Sequence, residues 1–88
     1  MAKNQLHRSH ADIVQRLRRA EGHLRSVVAM IEQGRDCVDL AQQLHAVEKA
    51  VSTAKRTLIH DHLDHCLSGG GRNAQAALAE ARTLSKFL

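Results

Sequence analysis

The chain contains no proline, tryptophan or tyrosine, and its single aromatic residue is Phe87. With no proline, no ring forces a kink or a stop, so long helices are permitted. With one aromatic, the core of this 88-residue chain must be built from Leu, Val, Ile and Ala, which is thin for a monomer. Rings on which unpaired bases could stack are missing too, which excludes recognition of single-stranded nucleic acid by that route. No apolar run is long enough to cross a membrane, and Met1 to His10 lacks the hydrophobic stretch of a secretion signal. A cytoplasmic protein is therefore expected. Two cysteines in a reducing compartment read as ligands or reactive thiols rather than a structural disulfide, against the plain alternative of buried, inert thiols.

What is present is helical patterning, and it predicts one all-α domain over residues 1–88. Residues 1–8 are polar and irregular, a mobile arm. Ser9 and Asp12 match a capping box, and Ile13, Leu17, Ala20, Leu24, Val27 and Ile31 then trace an apolar stripe over a first helix, 9–33, ending near Gly34. Gly22 lies inside it at a cost of about 1 kcal/mol relative to Ala, which a close helix contact would explain. Gly34, Arg35 and Asp36 form a turn short enough to fold the chain back, with Asp36 as N-cap.

The second helix, 36–67, dominates the chain. Its apolar positions Leu40, Leu44, Val47, Val51, Ala54 and Leu58 step by three or four residues, the seam of a helix with a helical partner. A helix this long with so little else to bury implies an obligate oligomer. Gly69, Gly70 and Gly71 end it as a hinge; no preceding strand or following Lys-Ser/Thr makes them a phosphate loop. Asn73 caps a short third helix, 73–87, with Ala77, Leu78, Ala81, Leu84 and Leu88 on its apolar side.

Cys37 opens the long helix, and His62 and Cys66, four residues apart on one face, lie near its end. Along a straight rod Cys37 and His62 stand about 38 Å apart, so one copy cannot join them. Stepping back by sevens from Val51 reaches Leu44 and Cys37, and stepping forward reaches Leu58, with His62 and Cys66 one and two turns beyond. Two antiparallel copies with a dyad near Val51 would bring Cys37 of one to His62 and Cys66 of the other, giving two identical sites per dimer and one metal ion per subunit. Two thiolates and an imidazole form a soft set suited to Cu(I) and acceptable to Zn(II); a nitrogen from His7 or His10 would suit Ni(II) or Co(II) better. The rival is an incidental His/Cys pair. His60 and His65 point off the Cys66 face as surface residues, and His23 and His45 have no partner identifiable in the sequence.

The formal charge is +4 per chain, about +16 for four chains, which favours a polyanionic partner. Arg16 and Arg19 share a face of the first helix, while Lys49, Lys55 and Arg56 lie outside the seam of the second. Side by side, the two helices could offer a basic strip to the phosphates of double-stranded DNA. With no helix-turn-helix evident, backbone contacts and DNA shape would carry recognition. The bland alternative is solubilising charge.

The stretches Cys37-Val38-Asp39, Gln43-Leu44-His45-Ala46-Val47 and His60-Asp61-His62-Leu63-Asp64-His65-Cys66 resemble the copper- and nickel/cobalt-sensing repressors of the CsoR/RcnR type. The likeness extends to Arg16-Leu17, Gly22-His23-Leu24 and Gln75-Ala76-Ala77-Leu78, and so spans nearly the whole chain. The Cys, His, Cys spacing is its specific part and matches the copper-sensing branch. The resemblance implies a three-helix subunit, an antiparallel dimer pairing into a homotetramer, and a repressor that leaves operator DNA when metal binds at Cys37, His62 and Cys66. It also implies a coupling role for Glu80 and DNA contact by Arg16. Two positions depart from the pattern: Asp36 stands where some copper sensors carry an aromatic, and Thr53 where some members carry a basic residue.

The expected function is a metal-responsive transcriptional repressor acting on metal-efflux genes, the target genes following from the resemblance alone. Two rivals use the same residues: a thiol or persulfide sensor built on Cys37 and Cys66, and a metal-storage or transfer protein with no DNA partner. No nucleophile, base and orienting group occur at recognisable spacings, so neither an enzyme nor a small-molecule substrate is expected.

Overall fold

Among the described residues three helices make up the fold, and the turn between the first two is specified residue by residue. The computed structural model of the chain describes residues 9–68 and 74–88, excluding the side chains of residues 66–68. Helix α1 spans His10–Glu32, α2 spans Cys37–Ser68 and α3 spans Ala74–Ser85. The arm at 1–8, the triple glycine and the Asn73 cap lie outside the described residues.

Helix α1 closes through Gly34, whose φ of +81° only glycine adopts without strain. The Arg35 N–H reaches the Met30 carbonyl and the Gly34 N–H that of Ile31, both at 3.1 Å, satisfying carbonyls the helix end would otherwise leave bare. Two residues on, the Asp36 carboxylate accepts the Asp39 N–H at 2.9 Å, the bond of an N-cap. Arg35 adds an ion pair to Asp39 at 2.6 Å. The chain thus reverses in a few residues, and α2 runs back along α1.

The capping box expected at the start of α1 does not form. Ser9 has helical angles, φ −73° and ψ −10°, and its side chain makes no capping bond. A capping hydroxyl needs an extended backbone to swing over the first turn; the helical angles of Ser9 deny it that reach, although its carbonyl accepts the Ile13 N–H as that of an N-cap does. Its buried hydroxyl finds no partner among the described residues. Gly22 also departs from expectation, since a Cβ added there would meet nothing within 4 Å among the described residues. No close contact with a described helix of the protomer explains it.

The interior is small. Ile13, Ala20 and Val27 of α1, seven residues apart, meet Val47 and Ala54 of α2, and Ile59 is buried further along. Leu17, Leu24 and Ile31 on α1 and Leu44, Val51 and Leu58 on α2 remain 41–52% exposed. The expected seam of α2 is therefore split: Val47 and Ala54 face α1, while the Leu44, Val51, Leu58 row faces outward. Helix α3 packs on α2 through its half-buried Ala77, Ala81 and Leu84, leaving Leu78 and Leu88 exposed.

The protomer is a slab of 56 × 29 × 13 Å with a radius of gyration of 17.3 Å, against roughly 12 Å for a compact domain of this length. A slab one helix thick cannot surround its own apolar residues. Among the described residues, no helix is long and apolar enough to cross a membrane.

Candidate metal centre and nucleic-acid face

Near the end of α2, His62 Nε2 lies 3.0 Å from Glu80 Oε1 of α3. The His62 side chain is 29% exposed and that of Glu80 53%, so the contact adds little to stability even when the imidazole is charged. Its effect is to hold the ring in one orientation, as a carboxylate partner does for a ligating imidazole. Beside it is a pocket of about 210 Å³ lined by His10, Leu58, Ile59, His62, Glu80 and Leu84, where all three helices meet. His10 therefore borders the same pocket as His62. His7 and the Cys66 side chain lie outside the described residues; the Cys66 backbone continues α2 one turn past His62.

Cys37 is exposed at the first position of α2, and helical rise puts it about 38 Å from His62. One protomer does not bring the two together. Among the described residues, no three His, Cys, Asp or Glu side chains are grouped to hold a metal ion. The donor types fit a soft metal nonetheless, and Cys37 continues the exposed row of Leu44, Val51 and Leu58 at intervals of seven.

A groove of about 460 Å³ between α1 and α2 is lined by Arg16, Arg19 and His23 from one helix and Lys49 and Thr53 from the other, over a floor of Ala20, Ala46 and Ala50. Small alanines let the helices approach, and the long basic side chains stand along the rim. Arg16 is partly neutralised by Asp12 at 3.0 Å. The His23 ring bridges the helices through a 2.6 Å hydrogen bond between its Nε2 and Gln43 Oε1; nothing in the sequence pattern pairs residues twenty apart. Thr53 brings no charge, and Lys49, one turn earlier, supplies it.

The expected basic strip is thus only partly assembled. Arg56 follows Lys49 by seven residues on the same side of α2, but it borders a second groove of about 480 Å³ with Ser9, Thr57, His60, Asp61 and Asp64. Those carboxylates oppose a polyanion. Lys55 lines neither groove, since six residues of helix carry it about 120° around α2 from Lys49.

The three-helix slab thus carries a basic groove between α1 and α2 and an oriented histidine near the end of α2. The family model for metal-sensitive transcriptional repressors matches residues 9–87, and the chain belongs to that family. It is 40% identical over 70 residues to the copper-sensing transcriptional repressor RicR of Mycobacterium tuberculosis, covering 75% of this chain and 73% of that protein. It is also 40% identical over 75 residues to the copper-sensing transcriptional repressor CsoR of Mycobacterium ulcerans, covering 82% of this chain and 63% of that protein. For CsoR of Bacillus subtilis, which carries the same description, the identity is 37% over 75 residues, covering 85% and 74%.

Proposed function

We propose that this chain is a cytoplasmic copper-responsive repressor that holds double-stranded operator DNA in its metal-free state and releases it when Cu(I) binds between subunits. The observation that carries the reading is the alignment of Cys37 with the exposed row Leu44, Val51 and Leu58, which leads to the oriented His62. Burying that row against an antiparallel copy covers the apolar face the slab leaves open. The same act joins Cys37 of one protomer to His62 and Cys66 of the other, and two such dimers complete a tetramer.

Thiolate and imidazole donors stabilise Cu(I) as soft ligands, which favours copper over Ni(II) or Co(II), to which His10, in the same pocket as His62, could add a nitrogen. The chain's own contribution is to tie the site to α3: a change in the His62 ring is felt at Glu80. Coupling of this kind typically amounts to about 1–3 kcal/mol, enough to empty an operator occupied near its midpoint. Metal-export genes are the targets this reading expects, on the strength of the family resemblance alone.

Anaerobic titration of the reduced protein with Cu(I), Ni(II), Co(II) and Zn(II), alone and on DNA from upstream of its own gene, tests the proposal. Thiolate absorption saturating at one Cu(I) per protomer, together with loss of the bound DNA, is the expected result. A protein that takes up copper and shows no salt-dependent, sequence-selective DNA binding would be a storage or transfer protein instead.

A further inference from the structure

Gly22 lies mid-helix in α1, where glycine weakens a helix, and neither packing nor conformation calls for it. Among the described residues a Cβ there would meet nothing within 4 Å, and its φ is not positive, unlike that of Gly34. Its surface neighbours three and four residues away are Arg18, Arg19, Arg25 and Ser26, all exposed. Three guanidinium groups and a hydroxyl therefore surround a bare patch of backbone, with the Glu21 carboxylate between Arg18 and Arg25 leaving the patch net positive. The patch lies two residues past buried Ala20, on the side of α1 turned away from α2.

A position kept bare at a cost to its own helix is explained by something outside the protomer coming close. The surrounding charge selects what that is. A second copy docking through the same face would set arginine against arginine, whereas a phosphodiester backbone neutralises all three and releases counterions. We propose that the back of α1, centred on Gly22, is a contact surface for duplex DNA, where one phosphate comes nearer the helix than a methyl group would allow and is held by Arg18 and Arg25. The inference rests on the reading of the chain as a DNA-binding protein and extends that footprint from the Arg16, Arg19, Lys49 groove around the outside of α1, with Arg19 at the border.

The test uses the full chain and a labelled mixed-sequence duplex of about 30 base pairs, followed by fluorescence anisotropy across a salt series. Gly22→Ala is expected to bind about tenfold more weakly at fixed salt, with an unchanged sedimentation coefficient and a melting temperature no lower than that of the wild type. Arg18→Gln and Arg25→Gln should each reduce the slope of log affinity against log salt by about 1. Wild-type affinity in Gly22→Ala with an unaltered salt slope in Arg25→Gln overturns the surface while leaving the groove intact. A changed association state in Gly22→Ala also overturns it, because the glycine then serves contact between copies. Failure of the wild type to bind any duplex at low salt is a different result, and removes the DNA-binding reading itself.

Discussion

Glu80 Oε1 of α3 meets His62 Nε2 of α2 at 3.0 Å, so the last helix touches the ring proposed as a metal ligand. A half-exposed carboxylate on a surface helix contributes little to stability, but it can report what happens to the imidazole it holds. His62→Ala should weaken copper-induced release of DNA and leave metal-free binding nearly unchanged. Glu80→Gln keeps the shape of the contact and removes its charge, so it should reduce release while preserving copper uptake to within about tenfold. Parallel titrations of metal uptake and DNA anisotropy separate the two effects; release identical to wild type in both variants would remove His62 and Glu80 from the switch.

Val51, 44% exposed, occupies the middle of the outward row on α2. If two copies pair antiparallel about this point, Val51→Lys sets two like charges side by side in a desolvated seam. The expected result is a shift toward monomer in sedimentation equilibrium, together with a melting temperature that falls on dilution. An unchanged oligomer would mean that the exposed rows of α1 and α2 are covered in some other way.

The three helices were legible because their apolar residues recur at intervals of three and four, and because Gly34 and Asp36 carry the turn chemistry their positions demand. Ser9 misled: its spacing to Asp12 fits a cap, but a cap also requires a non-helical backbone at that residue, which composition does not fix. The direction of individual side chains was harder still. Lys49 and Lys55 look equivalent as cations outside the seam, and only the helical phase set by Val47 and Ala54 against α1 sends one into the groove and the other away from it. His23 and Gln43 meet through that same packing. Glu80 follows from family resemblance alone, since no pattern within one short helix shows which residue of another it will face.

Gly34 carries a positive φ of 81°, so Gly34→Ala should destabilise the protein by about 1 kcal/mol through left-handed backbone strain. Asp36→Ala should cost a similar amount, about 1 kcal/mol, by removing the acceptor for the Asp39 N–H. Thermal unfolding at a fixed protomer concentration measures both, each loss amounting to a drop of roughly 4–8 °C for a domain of this size. Both changes lie next to Cys37, so copper affinity should be measured alongside. A melting temperature unaffected by Gly34→Ala would mean that the turn between α1 and α2 is not as described.

Lys49 and Lys55 provide the sharpest test of which face meets DNA. Lys49 shares a groove with Arg16 and Arg19, whereas Lys55 lies about 120° away around α2. Each phosphate contact contributes close to one unit to the slope of log affinity against log salt. Lys49→Ala and Arg19→Ala should therefore each lower that slope by about 1 and weaken binding across all sequences alike. Lys55→Ala should change the slope by less, because only the long-range field of the net charge is altered, and that field is screened over about 8 Å at physiological salt. Arg56→Ala should fall between them, as Asp61 and Asp64 already oppose its charge in the neighbouring groove. The reverse ranking, with Lys55 dominant, would place DNA on the face that carries Leu44 and Val51; the apolar row could then not be buried against a second protomer while DNA is bound.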